Sequence, residues 1–146
     1  MERQPFSGIE RRLDKLGECL SKLAPFKNKS REEYEREPYL RDIVERNLEV
    51  AIQCCIDMAH RIISIEEATK PTDHYEGFVI LGQLKILPAD FSKRIASMAG
   101  FRNILVHEYI GIDWNEVYQN LKRLPDLGKF ADFVRTWMKE KIGANK

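Results

Sequence analysis

The sequence predicts an all-α protein, folded as an antiparallel bundle of four or five helices. Apolar residues recur at the three- and four-residue spacing of amphipathic helices, and no stretch shows the sustained alternation of a strand. The 8 glycines lie mostly at the breaks between these patterns. With 146 residues and no repeat, linker or low-complexity segment, the chain is expected to form one domain over residues 1–146.

The first predicted helix covers Ile9 to about Phe26, and the longest covers Pro38 to about Ala68. Between them, Ser30 and Glu33 have the spacing of a capping box, which predicts a short helical turn. A proline suits the first turn of the longest helix because that turn needs no backbone donor. The inner faces are expected to carry Ile9, Leu13, Leu16, Leu20 and Leu23 in the first helix, and Val44, Leu48, Ala51, Cys55, Ala59 and Ile62 in the longest.

A third helix is predicted from a cap formed by Asp73 with Glu76, and it runs through about Ile86. Pro88 opens a fourth helix, and Gly111 ends either this helix or the loop that follows it.

Asp113 with Glu116 is expected to cap a fifth helix. Pro125 and Gly128 are expected to split that element before an apolar stripe resumes at Phe130.

The composition points to a cytoplasmic protein without a membrane segment. The formal net charge is +1, so a phosphate-binding site has to be local rather than a property of the whole surface. No apolar run approaches the roughly 18 residues of a membrane span, and the N-terminal residues lack the apolar core of a signal peptide. The three cysteines, Cys19, Cys54 and Cys55, are an odd set without disulfide or metal spacing and are interpreted as buried apolar residues.

The fourth helix carries an arginine where its inner row should be apolar. The row runs through Phe91, Ile95, Met98, Arg102 and Leu105, and then reaches position 109. An arginine in such a row is costly unless it is paired or meets an anion. One interpretation is a structural ion pair with a carboxylate of the longest helix, either Asp57 or Glu45.

His107 favours a second interpretation. Asn103 and His107 lie four residues apart and share a helix face, and the long stem of Arg102 can swing its guanidinium toward that face. Imidazole exchanges protons near neutral pH, and guanidinium binds phosphate through two parallel hydrogen bonds. A proton-transfer group beside a phosphate clamp fits RNA cleavage by the substrate's own 2′-hydroxyl. No metal-binding or P-loop motif is present, so the hypothesis includes neither metal nor cofactor. His60 and His74 are interpreted as ordinary surface or packed residues.

The stretch RNILVHEY, residues 102–109, resembles the signature of the HEPN superfamily and, more narrowly, of the HepT-like toxins. The likeness extends to the long helix segment ERNLEVAIQCCIDMAHRII, to Phe78 and Leu81, to the ILP that follows them, and to IDW after the motif. It covers about Ile9 to Met138.

This resemblance implies a metal-independent endoribonuclease toxin of a type VII toxin–antitoxin system. It implies a homodimer in which two motifs face one cleft, with Arg102, Asn103 and His107 at the catalytic positions. It also implies a minimal nucleotidyltransferase (MNT) antitoxin that transfers AMP to Tyr109. A twofold cleft would hold two copies of His107, which suits in-line displacement because that reaction needs both a base and an acid. Gly100 either lets the backbone of the second chain approach closely or has only a packing role.

Two alternatives remain at this point. The chain could be a non-catalytic helical adaptor that binds a nucleotide or a nucleotidyltransferase, or a structural dimer with Arg102 paired to Asp57. The RNA-binding surface is not evident in the sequence. Lys122 and Arg123 are candidates for it, although a solvated face is the simpler interpretation.

Overall fold

A computed structural model describes residues 4–107 and 110–144, and every regular element in these ranges is helical. The prediction of an all-α helical bundle is therefore confirmed, although the described residues form seven α-helices rather than four or five. The α-helices are α1 (Gln4–Leu23), α2 (Arg31–Arg36), α3 (Tyr39–Ile65), α4 (His74–Gln83), α5 (Ala89–His107), α6 (Trp114–Leu121) and α7 (Leu124–Ala144), with a 3₁₀-helix at Ala24–Asn28 after α1.

Helix α1 packs chiefly on α3 and buries the predicted stripe, with Leu20 only partly covered. It ends at Leu23, three residues before the predicted end at Phe26. Pro25 explains the difference, because proline has no backbone N–H to continue the α-helical ladder, and the chain tightens into the 3₁₀-helix.

Ser30 caps the start of α2 as predicted, through the side-chain half of a capping box. The Glu33 backbone N–H donates to Ser30 Oγ at 3.2 Å, and that hydroxyl lies 3.5 Å from Glu33 Oε1. The fully buried Tyr34 donates its hydroxyl hydrogen bond to the Phe26 carbonyl, which ties α2 to the 3₁₀-helix.

Helix α3 is the longest element among the described residues, and at 27 residues it extends about 40 Å. All six residues predicted for its inner face are buried. Helices α1, α4, α5 and α7 pack on it, so α3 is the centre of the bundle.

Asp73 caps α4 as predicted, accepting a hydrogen bond from the Glu76 backbone N–H at 2.8 Å. Helix α4 ends at Gln83 rather than at Ile86, and it packs closely on α5. Gly82 and Ser92 mark the closest approach, because a Cβ at Gly82 would lie 2.8 Å from Ser92 Cβ and nearer still to the hydroxyl.

The predicted break at Pro125 and Gly128 is wrong. Helix α7 runs without interruption from Leu124 to Ala144, and the separation from α6 falls at residues 122–123. Pro125 lies in the first turn of α7, where its missing N–H costs no hydrogen bond, and Gly128 is tolerated in the helix interior. Asp113 does cap α6, but its side chain accepts from the Asn115 N–H at 2.9 Å, while the Glu116 N–H donates to the Asp113 backbone carbonyl at 3.1 Å.

The buried apolar side chains of all seven α-helices join into one core cluster, within the part of the chain that the structure describes. The three cysteines are free and buried in it, as predicted. Burial raises the pKa of the Cys54 thiol to about 11 and that of the Cys55 thiol well above its ordinary value. No helix in the described ranges is both long and apolar enough to cross a membrane.

Candidate active site at the end of α5

The residues singled out in the sequence lie in the last two turns of α5. The row before them is apolar as predicted, since Phe91, Ile95, Met98 and Leu105 are all buried. Arg102 occupies this row and is half-buried. The arrangement confirms that a guanidinium interrupts an otherwise apolar face.

Arg102 has few polar contacts for a half-buried cation. Its Nη1 donates to Asn103 Oδ1 at 3.1 Å. Its Nε is buried and has no hydrogen-bond acceptor among the described residues. Within those ranges no carboxylate lies within 4.0 Å of the guanidinium, so its charge has no ion-pair partner among the described residues.

The carboxylates considered as partners for Arg102 are engaged elsewhere or lack this contact. Asp57 binds Arg12 Nε at 3.1 Å and accepts from Gln53 at 2.7 Å. Burial and then the neighbouring Asp42 raise the pKa of the Glu45 carboxyl. The proposed ion pair of Arg102 with Asp57 is therefore wrong.

Asn103 and His107 are exposed and share one face of α5. The bond from Arg102 to Asn103 turns the guanidinium toward that face, as its long stem was expected to allow. Gly100 lies on the same face, and a Cβ added there would meet no atom within 4 Å. Packing among the described residues therefore does not require a glycine at this position.

Tyr109, the residue expected to be modified, and the adjacent Glu108 lie outside the described residues. The chain is described again from Ile110, whose side chain is 83% exposed. Gly111 follows with φ of +81°, a left-handed conformation that glycine adopts without strain.

An arginine of α3 lies close to the segment that follows the motif. The guanidinium carbon of Arg41 lies 5.0 Å from the centre of the Trp114 ring, and Trp114 also packs on Tyr34 with ring centres 4.8 Å apart. The first turns of α3 therefore lie beside the start of α6. Sequence analysis missed this contact, because nothing in the spacing of residues 41 and 114 links them.

Arg123 has a structural role rather than that of a free basic residue. It donates to Ser97 Oγ at 3.0 Å and to the Arg94 carbonyl, and its Nε lies 3.9 Å from Asp126 Oδ2. These contacts join α5 to the start of α7. Lys122 lies over the Tyr118 ring at 5.2 Å.

His60 and His74 are packed against each other, with ring centres 5.5 Å apart and at a steep angle. His60 Nε2 and His74 Nδ1 are buried and make no hydrogen bond among the described residues. Burial, followed by the charge of His74, lowers the pKa of His60. Their interpretation as packed residues agrees with this geometry.

The helical frame and the motif agree with the class of HepT-like helical domains. The model of the family described as "HepT-like: Ribonuclease HepT-like" matches residues 9–134, and the chain belongs to that family.

Two curated relatives are similar over most of their length. The chain is 38% identical over 110 residues to a "tRNA nuclease HepT" of Aphanizomenon flos-aquae, covering 75% of each chain. It is 29% identical over 97 residues to an "mRNA nuclease HepT" of Shewanella oneidensis, covering 66% of this chain and 73% of that one.

Solved structures share the fold. A tri-AMPylated Shewanella oneidensis HEPN toxin, solved in complex with an MNT antitoxin, superposes with a TM-score of 0.80 at 23% identity, covering 89% of this chain and 98% of that one. YutE from Bacillus subtilis, a cytosolic protein of unknown function, gives a TM-score of 0.81 at 20% identity, with 94% and 92% covered.

Proposed function

We propose that the chain is a metal-independent endoribonuclease toxin whose activity depends on Arg102, Asn103 and His107. The observation that carries this proposal is the state of Arg102: a half-buried guanidinium with a buried, unpartnered Nε, joined to Asn103 on the face that carries the exposed His107. A phosphate oxygen supplies both the negative charge and the acceptor that this group lacks.

The chemistry is a transesterification in which the phosphoryl group passes from the 5′-oxygen of one nucleotide to the neighbouring ribose 2′-oxygen. A histidine takes the proton of the 2′-hydroxyl, the 2′-oxygen attacks phosphorus, and the bond from phosphorus to the 5′-oxygen breaks. A second proton donor protonates the leaving 5′-oxygen. The products are a 2′,3′-cyclic phosphate and a 5′-hydroxyl, while Arg102 and Asn103 stabilise the charge that develops on phosphorus.

A homodimer supplies the second proton-transfer group. Each chain contributes one His107, and an isologous twofold interface brings two copies to one cleft. The exposed face formed by Gly100, Asn103 and His107, with the half-buried Ile104, is the surface proposed for this contact. Its open glycine allows a second backbone to come close.

Control is proposed to act through Tyr109. A minimal nucleotidyltransferase antitoxin would attach AMP from ATP to the phenol oxygen with release of pyrophosphate. The added phosphodiester would compete with RNA for Arg102 and silence the nuclease. Support comes from relatives: two HepT proteins named as nucleases, and a HEPN toxin that is AMPylated in its complex with an MNT antitoxin.

The test of catalysis is cleavage of RNA by purified protein in EDTA. His107→Ala is expected to reduce the rate by about 10²–10⁴-fold, and the wild-type products should carry 2′,3′-cyclic phosphate ends. Strong dependence on an added divalent metal would contradict the mechanism. Absence of cleavage in the wild type, with retained binding of a nucleotide or nucleotidyltransferase, would favour the adaptor alternative.

The test of control uses Tyr109→Phe with Tyr75→Phe as its matched control, because the Tyr75 side chain is 50% exposed and lies on α4. Incubation with antitoxin and ATP should add AMP to the wild type and to the Tyr75 variant. The Tyr109 variant should stay active and unmodified by mass spectrometry. Normal enzymatic silencing of that variant would contradict this account.

A further inference from the structure

Three arginines of the described residues are half-buried: Arg41, Arg102 and Arg123. Arg123 binds a hydroxyl, a backbone carbonyl and a carboxylate. Arg41 and Arg102 share a different state, because the Nε atom of each is buried and has no hydrogen-bond acceptor among the described residues. Arg102 belongs to the proposed active site, whereas Arg41 on α3 has no role in it.

Arg41 has no ion-pair partner among the described residues. None of their carboxylates lies within 4.0 Å of its guanidinium. Glu45 lies one helical turn further along α3 and is the candidate on the same face. Burial and then Asp42 raise the pKa of the Glu45 carboxyl more strongly than the charge of Arg41 lowers it. Glu45 is therefore a weak counter-ion for Arg41.

The contact that holds Arg41 is with an aromatic ring. Its guanidinium carbon lies 5.0 Å from the centre of the Trp114 ring. Trp114 is itself buried and packs on Tyr34, so the cation rests against a fixed surface. A ring attracts a cation, but it supplies no carbonyl or carboxylate oxygen to the N–H donors of the guanidinium. The contact therefore positions Arg41 without giving its Nε an acceptor.

Arg41 lies beside the chain segment that leaves the proposed active site. Trp114 follows His107 by seven residues, and a fully extended chain of that length spans at most about 25 Å. Gly111 lies within this segment, and its left-handed φ of +81° turns the chain and shortens the span. Phosphates of a stacked nucleic-acid strand advance by about 3.4 Å each. The backbones of His107 and Trp114 are therefore no more than about seven phosphates apart.

We infer that Arg41 binds a phosphate of the RNA substrate that flanks the bond to be cut. The inference rests on the proposed ribonuclease function and adds a residue that positions the strand. A strand that places its reacting phosphate at Arg102 carries further phosphates on either side, and the proposed active site gives these no partner. A half-buried guanidinium without a counter-ion, held on Trp114 within reach of the same strand, supplies one.

The variants that test this separate the charge of Arg41 from its packing. Arg41→Met keeps an apolar stem against Trp114 and removes the charge, whereas Arg41→Lys keeps the charge. Arg46→Gln is the matched control, because Arg46 lies five residues further along the same helix and already binds Glu49 at 2.9 Å. It removes the same unit of charge from α3 but takes away a guanidinium that has a partner.

Binding is measured by fluorescence anisotropy with a labelled single-stranded RNA, in a His107→Ala background so that the RNA stays intact. Arg41→Met should weaken binding about tenfold at low salt, because one charged hydrogen-bonded contact is lost. The slope of log affinity against log salt should fall by about 0.7 for that contact. Arg41→Lys should recover part of the affinity, and Arg46→Gln should change it less than about twofold.

Cleavage by chains with His107 intact gives the second readout. For a long RNA, Arg41→Met should raise KM about tenfold and leave kcat nearly unchanged, the signature of a lost contact that does not change during the reaction. A dinucleotide that contains only the phosphate to be cut lacks the flanking phosphate. Its cleavage should therefore be as fast with Arg41→Met as with the wild type.

Three results would overturn the inference: equal RNA binding by Arg41→Met and Arg41→Lys, no greater effect of Arg41→Met than of Arg46→Gln, or equal slowing of both substrates. Normal RNA binding by Arg41→Met with weaker silencing through AMP on Tyr109 would also overturn it, and would assign the cation to the modified tyrosine. Thermal unfolding of each variant checks that the helices remain folded.

Failure of the proposed function has a different outcome. A wild-type chain that binds the strand in EDTA but does not cleave it would count against the proposed mechanism, and the binding comparison at Arg41 would still stand. Cleavage by the wild type with unchanged binding and KM in Arg41→Met would overturn the inference alone. Absence of RNA binding by the wild type would overturn both.

Discussion

Two half-buried arginines, Arg123 and Arg102, differ in how many of their donors have a partner. Arg123, between α6 and α7, binds a hydroxyl, a backbone carbonyl and the carboxylate of Asp126. Arg102, near the end of α5, has one bond to a neighbouring amide and a buried Nε without an acceptor among the described residues. The first is a satisfied cross-link, whereas the second has no ion-pair partner among the described residues.

The difference shows how a structural arginine is distinguished from a functional one. A guanidinium with its donors occupied stabilises the fold by about 1.5–3 kcal/mol for each bond to a charged group. A partly desolvated guanidinium without a counterion costs free energy that an apolar side chain would not. This cost supports the proposal that Arg102 binds an anion.

Replacing each arginine in turn by glutamine should separate the two roles, and it should give the largest effect of the variants considered. Arg102→Gln should lower RNA cleavage by at least about 10²-fold, because the charge that stabilises the reacting phosphate is lost, and leave the melting temperature nearly unchanged. Arg123→Gln should leave cleavage within a few-fold of wild type and lower the free energy of unfolding by about 1–3 kcal/mol.

Initial cleavage rates and urea unfolding curves measure the two quantities on the same preparations. If Arg102→Gln lost stability and kept normal cleavage, Arg102 would be a structural residue and not a functional one. Mixing His107→Ala with Arg102→Ala chains extends the test to the dimer, since shared sites would regain part of the activity in mixed dimers.

The next largest effect is expected where α4 and α5 touch. Gly82→Ala places a Cβ 2.8 Å from Ser92 Cβ and closer to its hydroxyl, so the two helices must separate. The expected loss is about 1–3 kcal/mol of unfolding free energy. Ser92→Ala in the same chain should recover part of it, because the hydroxyl is removed while the nearby Cβ remains. Full stability of the single variant would contradict the close approach.

Gly100→Ala adds the same methyl group as Gly82→Ala, but on the exposed face of α5. Nothing lies within 4 Å of the added methyl, so the folded chain should gain up to about 1 kcal/mol from helix propensity alone. If the second chain approaches here, the same methyl should weaken dimerisation by about tenfold, a cost of about 1.4 kcal/mol. Sedimentation equilibrium measures the dimer dissociation constant of the two proteins. Unchanged dimerisation would place the interface elsewhere.

Much of the fold was predictable because its signals are local. The stripe of α1, the inner face of α3 and the caps at Ser30 and Asp73 each depend on residues within one or two helical turns. The break at Pro125 was wrong for a related reason: a proline signals a helix start as readily as an interruption, and only packing decides between them.

The site was less predictable because its contacts are distant in sequence. The motif indicated where Arg102 and His107 lie, but the partner of Asp57 is Arg12, 45 residues away, and no local pattern reveals that choice. The same holds for Arg123, whose bonds reach 26 and 29 residues back to α5. Pairings of this kind depend on how the helices pack and appear only in the folded structure.

The smallest expected effect concerns the paired histidines of α3 and α4. Burial and the neighbouring His74 hold the pKa of His60 below its ordinary value, while Asp57 acts in the opposite direction. The unfolded chain therefore takes up a proton at His60 more readily than the folded chain. The stabilisation is fully present above about pH 6.5 and is lost as the pH falls toward the folded pKa. Urea unfolding at a series of pH values should show this decline, and His60→Gln should flatten it. A decline of unchanged slope in His60→Gln would assign the pH dependence to other groups.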